Sequence, residues 1–315
     1  MVSVVPRTTE SLVGSHDPAA VLAVDIGGTK FEVGIVASDG SILARSRCAT
    51  PAGADGSVLT RTLTELIDEV LFSGGASGRS VVGCGVGCGG PMSANGATIS
   101  PINIGGWREF ALGEHIAAHT GLPTRVDNDA KALALAEGWL GAARGCTDHM
   151  AMVVSTGVGG GIVLDGRLLD GAQGNAGHVG HICVVPDGRR CGCGADGCLE
   201  AEASGTAIAA ITGAPASEAS VEIIVRTGTL VGRAAASVAN LLDLGLVTVA
   251  GSVALGYGAP FFAAAQRELD ARCRINFARG ARIIPAQLGA DGPLIGAAAV
   301  GFRAIDPTWS LGSDT

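Results

Sequence analysis

Short apolar runs alternate with polar turns along the chain, and the runs recur in one order. Residues 21–24 are apolar and end at Asp25, and Gly27-Gly28-Thr29 follows. A brief apolar run closed by glycines predicts a buried strand and a turn. Residues 31–37 predict a second strand, Ser38-Asp39-Gly40 a turn, and residues 42–48 a third strand. The period then changes: Leu59, Leu63, Leu66, Ile67, Val70 and Leu71 share one helical face over residues 58–72. A loop over 73–80, a buried strand over 81–87, a helix over 110–119 and a strand over 124–126 follow. Next come Asp127-Asn128-Asp129 and an alanine-rich helix over 130–141.

The opening order then returns. Residues 150–155 predict a strand, 156–161 a glycine turn and 162–164 a second strand, and Leu168 opens a further segment. Helices are expected over 205–211, 221–225 and 228–242, a strand over 247–250 ending at Gly251, and a helix from Gly292. Strand–turn–strand is not the strand–glycine loop–helix order of a dinucleotide fold. Its repetition predicts two related halves facing a shared cleft.

Composition narrows the function. Glycine supplies 50 of 315 residues, hydrophobic residues 47 % and charged residues 16 %. This is neither a collagen nor a disordered chain, and its length suits two domains. Net charge is −8 and no basic cluster occurs, which disfavours nucleic acid as a partner. Lysine occurs only as Lys30 and Lys131. Residues 244–265 are uncharged and long enough to span a membrane. Gly245, Gly251, Gly256, Gly258 and Pro260 instead favour a buried strand, a turn and a helix start. The first residues are polar, read as loose, and lack the apolar core of a signal peptide, so a cytoplasmic location is expected. The nine cysteines then read as thiols and possible metal ligands rather than a disulfide framework.

Four segments carry candidate chemistry. In Asp25-Ile26-Gly27-Gly28-Thr29-Lys30 the glycines let backbone N–H groups approach an anion, Thr29 adds a donor, and Asp25 can hold Mg²⁺ through water. A plain hairpin turn is the alternative. Ser155-Thr156-Gly157 is a second such turn, and with Gly251 the set implies a bracketed nucleotide. Asp127-Asn128-Asp129 offers a carboxylate able to take a proton from a hydroxyl, or simply a helix N-cap. His181, Cys191, Cys193 and Cys198 can close a tetrahedral zinc site with no open position, so such a zinc is structural. Cys48, Cys84, Cys88, Cys146 and Cys273 read as buried small hydrophobes, and Cys183 lies near the cluster but out of register. His16, His115, His119 and His149 read as surface or cap residues.

These segments, with Leu22 to Lys30, Gly180-His181 and Gly197-Cys198-Leu199-Glu200, resemble the ROK family of bacterial glucokinase-type sugar kinases and related repressors. The resemblance covers residues 20–300. It implies an actin-like ATPase (ribonuclease H-like) fold, two α/β domains around a cleft, ATP and Mg²⁺ as cofactors, a homodimer, and phosphoryl transfer to a hexose, commonly at O6. The expected boundaries are 1–126 for a small domain completed by a helix over 292–315, and 127–291 for a large domain carrying the zinc loop and dimer surface. By resemblance Asp129 is the general base. Asn128, Asn103, Gly90 and Glu200 line the sugar, and His181 serves both zinc and sugar. Asp25, Gly27, Gly28, Thr29, Lys30, Thr156, Gly157 and Gly251 serve the nucleotide.

Three positions depart from the family pattern. His178 stands where the family has a sugar-binding Glu, Gly89-Gly90-Pro91 replaces Pro-Gly-Pro, and Ala250-Gly251 replaces Gly-Gly. Histidine offers one acceptor and one donor where a carboxylate only accepts. The expected substrate therefore differs from glucose at C2 or C3: an amino sugar of kanosamine type, in an antibiotic-biosynthesis setting suited to a high-GC genome, or a cyclitol. Ordinary glucose is the alternative. A ROK repressor would carry a helix-turn-helix unit ahead of Asp25, where about 20 non-basic residues stand. A non-catalytic sugar sensor fits poorly with intact Asp25, Asp129 and glycine turns.

Overall fold

The computed structural model describes residues 19–74 and 80–311. The expected loose N-terminus, His16 and most of the expected 73–80 loop lie outside the described residues. Two five-stranded sheets form the frame. The first contains β1 (Ala20–Ile26), β2 (Lys30–Ala37), β3 (Ile42–Ala49), β4 (Val81–Cys88) and β5 (Thr124–Asn128), in the order β3-β2-β1-β4-β5. The second contains β6 (His149–Val154), β7 (Val158–Leu164), β8 (Arg167–Leu168), β9 (Leu246–Ala250) and β10 (Arg282–Pro285), in the order β10-β9-β6-β7-β8. Numbered within each half, both orders read 3-2-1-4-5. Each half is an antiparallel meander whose first strand also pairs in parallel with the fourth. The repeat seen in the apolar runs is thus a repeat of topology. This is the actin-like ATPase architecture.

Among the described residues eight α-helices cover the sheets: α1 (Gly56–Gly74), α2 (Leu112–Thr120), α3 (Asp129–Trp139), α4 (Leu199–Ala203), α5 (Gly205–Thr212), α6 (Val221–Leu242), α7 (Ser252–Arg272) and α8 (Gly292–Ile305). The helix that ends each half packs on the other half's sheet. Helix α3 lies on β6 and β7, α8 lies on β1 and β4, and the two cross each other. Small residues permit this. A Cβ on Gly161 would stand 2.7 Å from Lys131 Cα, and one on Gly159 would stand 2.9 Å from Ala130 Cβ. A Cβ on Gly85 would collide with the Ala297 carbonyl and the Gly301 amide, so α8 reaches β4 only over glycine.

Several expectations need correction. The second glycine turn ends at Gly157; Gly159, Gly160 and Gly161 belong to β7, where Gly159 and Gly161 admit α3 and Gly160 faces Val179 on the other side. No break divides α6 at residues 226–227. Gly228 stays helical because a side chain there would strike the Phe261 carbonyl of α7. Helix α7 continues through Gly256 and Pro260, with its irregularity confined to Gly258 (φ 58°, ψ −140°). His149 is neither a cap nor on the surface. It is fully buried, with Nδ1 3.2 Å from the Cys146 carbonyl and Nε2 3.0 Å from the Ala134 carbonyl. Cys84, Cys88 and Cys273 are buried as expected, whereas Cys48 and Cys146 are only half-buried. Among the described residues no helix is long and apolar enough to cross a membrane.

Candidate active site

Parallel strands β1, β4 and β5 end together, with Asp25 opposite Gly87 and Gly87 opposite Asp127. Ligands of open α/β sheets gather at such carboxyl ends. Strand β5 runs straight into α3. Asn128 Oδ1 accepts from the Ala130 amide at 3.0 Å, so the N-cap alternative is realised at Asn128. That cap places Asp129 at the first position of α3. Its Oδ1 also accepts from the Ala130 amide, at 2.8 Å. Asp129 is open to solvent, yet the protein around it pushes its carboxyl above the usual range. Both statements hold for a group on the floor of a cleft.

Asp25 is buried at the end of β1. Burial first, and then the charges of Asp129 and Glu32, push its carboxyl up to about 7 against the opposing pull of Lys30. Lys30 Nζ stands 4.0 Å from Asp25 and bonds Glu32 more closely, so its charge is already shared between two carboxylates. The first turn is closed by the Gly27 amide donating to the Lys30 carbonyl at 3.0 Å. Thr50 Oγ1 donates to the Gly27 carbonyl at 2.7 Å. Gly28 and Thr29 remain exposed. A Cβ on Gly28 would stand 2.6 Å from Asn103 Cβ, which ties this turn to the 101–107 loop.

The second turn lies between β6 and β7. The Ser155 amide donates to the Gly157 carbonyl at 2.9 Å, and Ser155 Oγ meets Ser252 Oγ at 2.9 Å beside Gly251. Gly251 has φ +99°, and any side chain there would strike the Val154 backbone. Glu200 Oε2 accepts from the Val158 amide at 3.1 Å, so Glu200 adjoins this turn. His178 is exposed within the cleft. Burial, then His181 and Lys131, lower its pKa, while Glu200 and Asp129 pull it up, so its neighbours include both carboxylates. The His178 and His181 rings stand 6.1 Å apart. A Cβ on Gly90 would lie 3.9 Å from Asn128 Nδ2, and the Gly90–Pro91 bond is cis.

Close approaches thus join Gly28 to Asn103, Gly89 to Asp129, Gly90 to Asn128 and Gly157 to Glu200, and the charges of Asp129 and Glu200 both act on His178. Thr50 and Ser252 were missed from sequence. Ser252 is signalled by its place beside Gly251, whereas Thr50 has no local signal, since its partner is 23 residues away.

The donor atoms of His181, Cys191, Cys193 and Cys198 all lie within 4.8 Å of one another. Cys193 Sγ is 3.7 Å from Cys198 Sγ, and Cys191 Sγ is 3.7 Å from His181 Nδ1. Zinc–sulfur bonds of about 2.3 Å in tetrahedral array put sulfurs about 3.8 Å apart, so the four donors fit zinc.

A family model described as "ROK family" matches residues 21–303. The N-acetylmannosamine kinase of Yersinia pestis is 39 % identical over 253 residues, covering 75 % of this chain and 84 % of that protein. The glucokinase of Halalkalibacterium halodurans is 38 % identical over 192 residues, 60 % of this chain; the match spans only 58 % of that relative's length. A ROK family glucokinase from Streptomyces griseus, solved with glucose and AMPPNP, superposes with a TM-score of 0.73 at 30 % identity, over 90 % of this chain and 99 % of that one. The chain belongs to the ROK family.

Proposed function

We propose that the chain moves the γ-phosphoryl group of ATP to O6 of a hexose or modified hexose, with Asp129 as general base. Membership of the family, together with glucokinase and N-acetylmannosamine kinase relatives, makes it an ATP:sugar phosphotransferase. One observation supports the finer reading: the Asp129 carboxylate is exposed at the start of α3, and its charge acts both on Asp25 and on His178. A carboxylate raised above its usual range is, when ionised, a better proton acceptor than an ordinary one. Phosphoryl transfer asks chiefly for positioning and charge neutralisation. In this reading Gly27, Gly28, Thr29, Lys30, Thr156, Gly157 and Gly251 take the nucleotide. Asp25 takes Mg²⁺, a cation suited to its crowd of carboxylates. Asn103, Asn128, Gly90, His178, His181 and Glu200 take the sugar. Zinc at His181, Cys191, Cys193 and Cys198 shapes the sugar wall without doing chemistry.

His178 favours a substrate altered at C2 or C3, and the N-acetylmannosamine kinase relatives support the same direction. A coupled ADP-release assay over glucose, N-acetylmannosamine, kanosamine and cyclitols tests this. Glucose as the best substrate by kcat/KM returns the chain to an ordinary glucokinase, and no turnover with any sugar favours the sensor alternative. His178→Glu is expected to shift preference toward glucose. The same reading divides the chain at residue 126 and returns the last helix to the first domain, supported by α8 lying on β1 and β4. It makes the protein a cytoplasmic homodimer, which light scattering after gel filtration tests.

A further inference from the structure

Cys183 stands outside the four-donor cluster, but its backbone is in register with one of the donors. It forms an isolated antiparallel bridge with Cys198. The Val184 amide donates to the Gly197 carbonyl at 2.8 Å, and the Leu199 amide donates to the Ile182 carbonyl at 2.9 Å. Those two bonds flank the 183–198 pair, so Cys183 and Cys198 are a non-hydrogen-bonded pair with side chains on one face. Such pairs bring Cα atoms to about 4.5 Å, inside the roughly 4.4–6.8 Å that a disulfide spans. Cys183 is exposed, whereas Cys198 is buried. The Cys183 thiol is turned over Gly197, where a Cβ would stand 3.4 Å from its Sγ. Rotation about χ1 is the movement needed to bring it to Cys198.

We propose that Cys183 is a resolving thiol that competes with zinc for Cys198, making the loop a peroxide-sensitive zinc-release site. The inference rests on the zinc reading of the cluster. Its oxidant is hydrogen peroxide. The Cys183 sulfur attacks the peroxide, the O–O bond breaks, and sulfenic acid and water form. The thiolate of Cys198, which would otherwise hold zinc, then attacks the sulfenic sulfur. An S–S bond forms, the S–O bond breaks, and hydroxide leaves and is protonated to water. In sum two thiols give two electrons and one peroxide becomes two waters, and a zinc bound there would keep only three protein donors. Two consequences follow the chain outward. His181 loses the ion that orients its ring, and Cys198 directly precedes α4, which carries Glu200 to the Val158 amide. Sugar affinity therefore falls with zinc, and a dithiol with added zinc restores both.

The test uses the full chain loaded with zinc and dosed with hydrogen peroxide. A chromogenic chelator follows zinc, and non-reducing peptide mapping follows sulfur pairing. The untreated chain should hold one zinc, which examines the cluster separately from the switch. Oxidation should release it, with Cys183 joined to Cys198, and reduction should reverse both. Cys183→Ser and Cys183→Ala should keep unoxidised activity unchanged and slow zinc release about tenfold or more. Release at wild-type speed in both variants overturns the proposal. So does pairing confined to Cys191, Cys193 and Cys198, and so does a chain that binds no zinc. The kinase reading survives any of these results, because neither readout depends on turnover.

Discussion

At the residue scale the proposed chemistry hangs on two carboxylates with different surroundings. Asp129 is open to the cleft and held by the Ala130 amide, so an amide in its place preserves shape and removes the proton acceptor. Asp129→Asn is expected to lower kcat by about 10²–10⁴, the usual worth of general base catalysis, with sugar KM changed little. A kcat within tenfold of wild type would remove Asp129 from that role. Asp25 adds a pH dependence. Its carboxyl is raised to about 7 by burial and by neighbouring carboxylates, and its ionised form is the one that can hold a cation. Protonation therefore sets in as pH falls through about 7, far above an ordinary carboxylate, and activity declines on that acid side. Saturating Mg²⁺ and ATP favour the ionised form and should move the decline to lower pH. A profile of kcat/KM at low and high Mg²⁺-ATP checks this, and a flat response from pH 8 to 5 would contradict it.

At the element scale, strands and turns were legible where their determinants are local. Residues 21–24 read as a strand because all are apolar and Asp25 ends the run; the structure adds Ala20, Asp25 and Ile26. The zinc-type donors were legible from spacing alone, since three of them lie within eight residues. Elements were misread where a distant partner decides. Gly228 breaks a helix on propensity, yet the close approach of α7 demands it. Gly159 to Gly161 read as a loop, yet they are strand, and Gly159 and Gly161 form the seat of α3. Strand β10 was missed because its four residues pair only with β9 at the sheet edge. Glu137 shows the same limit. In sequence it is one polar residue in a helix, but in the fold it is fully buried. Its carboxylate accepts from the amides of Ala142 at 2.7 Å and of Gln287 and Leu288 at 3.1 Å. It pins the loops after α3 and β10 to one point. Glu137→Ala strands those donors and is expected to cost at least about 1–3 kcal/mol. Urea unfolding measures this, and a loss under about 0.5 kcal/mol would show the amides satisfied by other means.

At the scale of the whole molecule, the two halves are joined by exchanged helices and by a cluster of buried charge beside the segment that carries Asp129. Lys131 on α3 is 2 % exposed; its Nζ lies 2.9 Å from Asp127 and 3.0 Å from Asp170 and donates to the Gly174 carbonyl at 2.7 Å. Arg303 on α8 reaches the same two carboxylates, Asp170 at 2.9 Å and Asp127 at 3.7 Å, and Arg125 on β5 reaches Asp170 at 3.3 Å. The first sheet, both crossing helices and the segment after β8 thus meet at one point. Asp127 lies two residues before Asp129, so whatever holds Asp127 also helps to place Asp129. Breaking a buried pair by deleting one partner costs about 3–5 kcal/mol, because the other charge is left in a poor medium. Here Arg303 still faces Asp127, which places Lys131→Met at the lower end, about 3 kcal/mol. Removing both charges in Lys131→Met with Asp127→Asn should cost less than the sum of the single changes, because neither partner is then left unpaired. Denaturant unfolding of the four proteins of that cycle gives the coupling. Kinetics on the Lys131→Met chain, at a temperature where it stays folded, should show kcat falling more than sugar KM changes. Additive stabilities together with an unchanged kcat would mean that the exchanged helices alone join the halves, and that the charge cluster neither braces their junction nor positions Asp129.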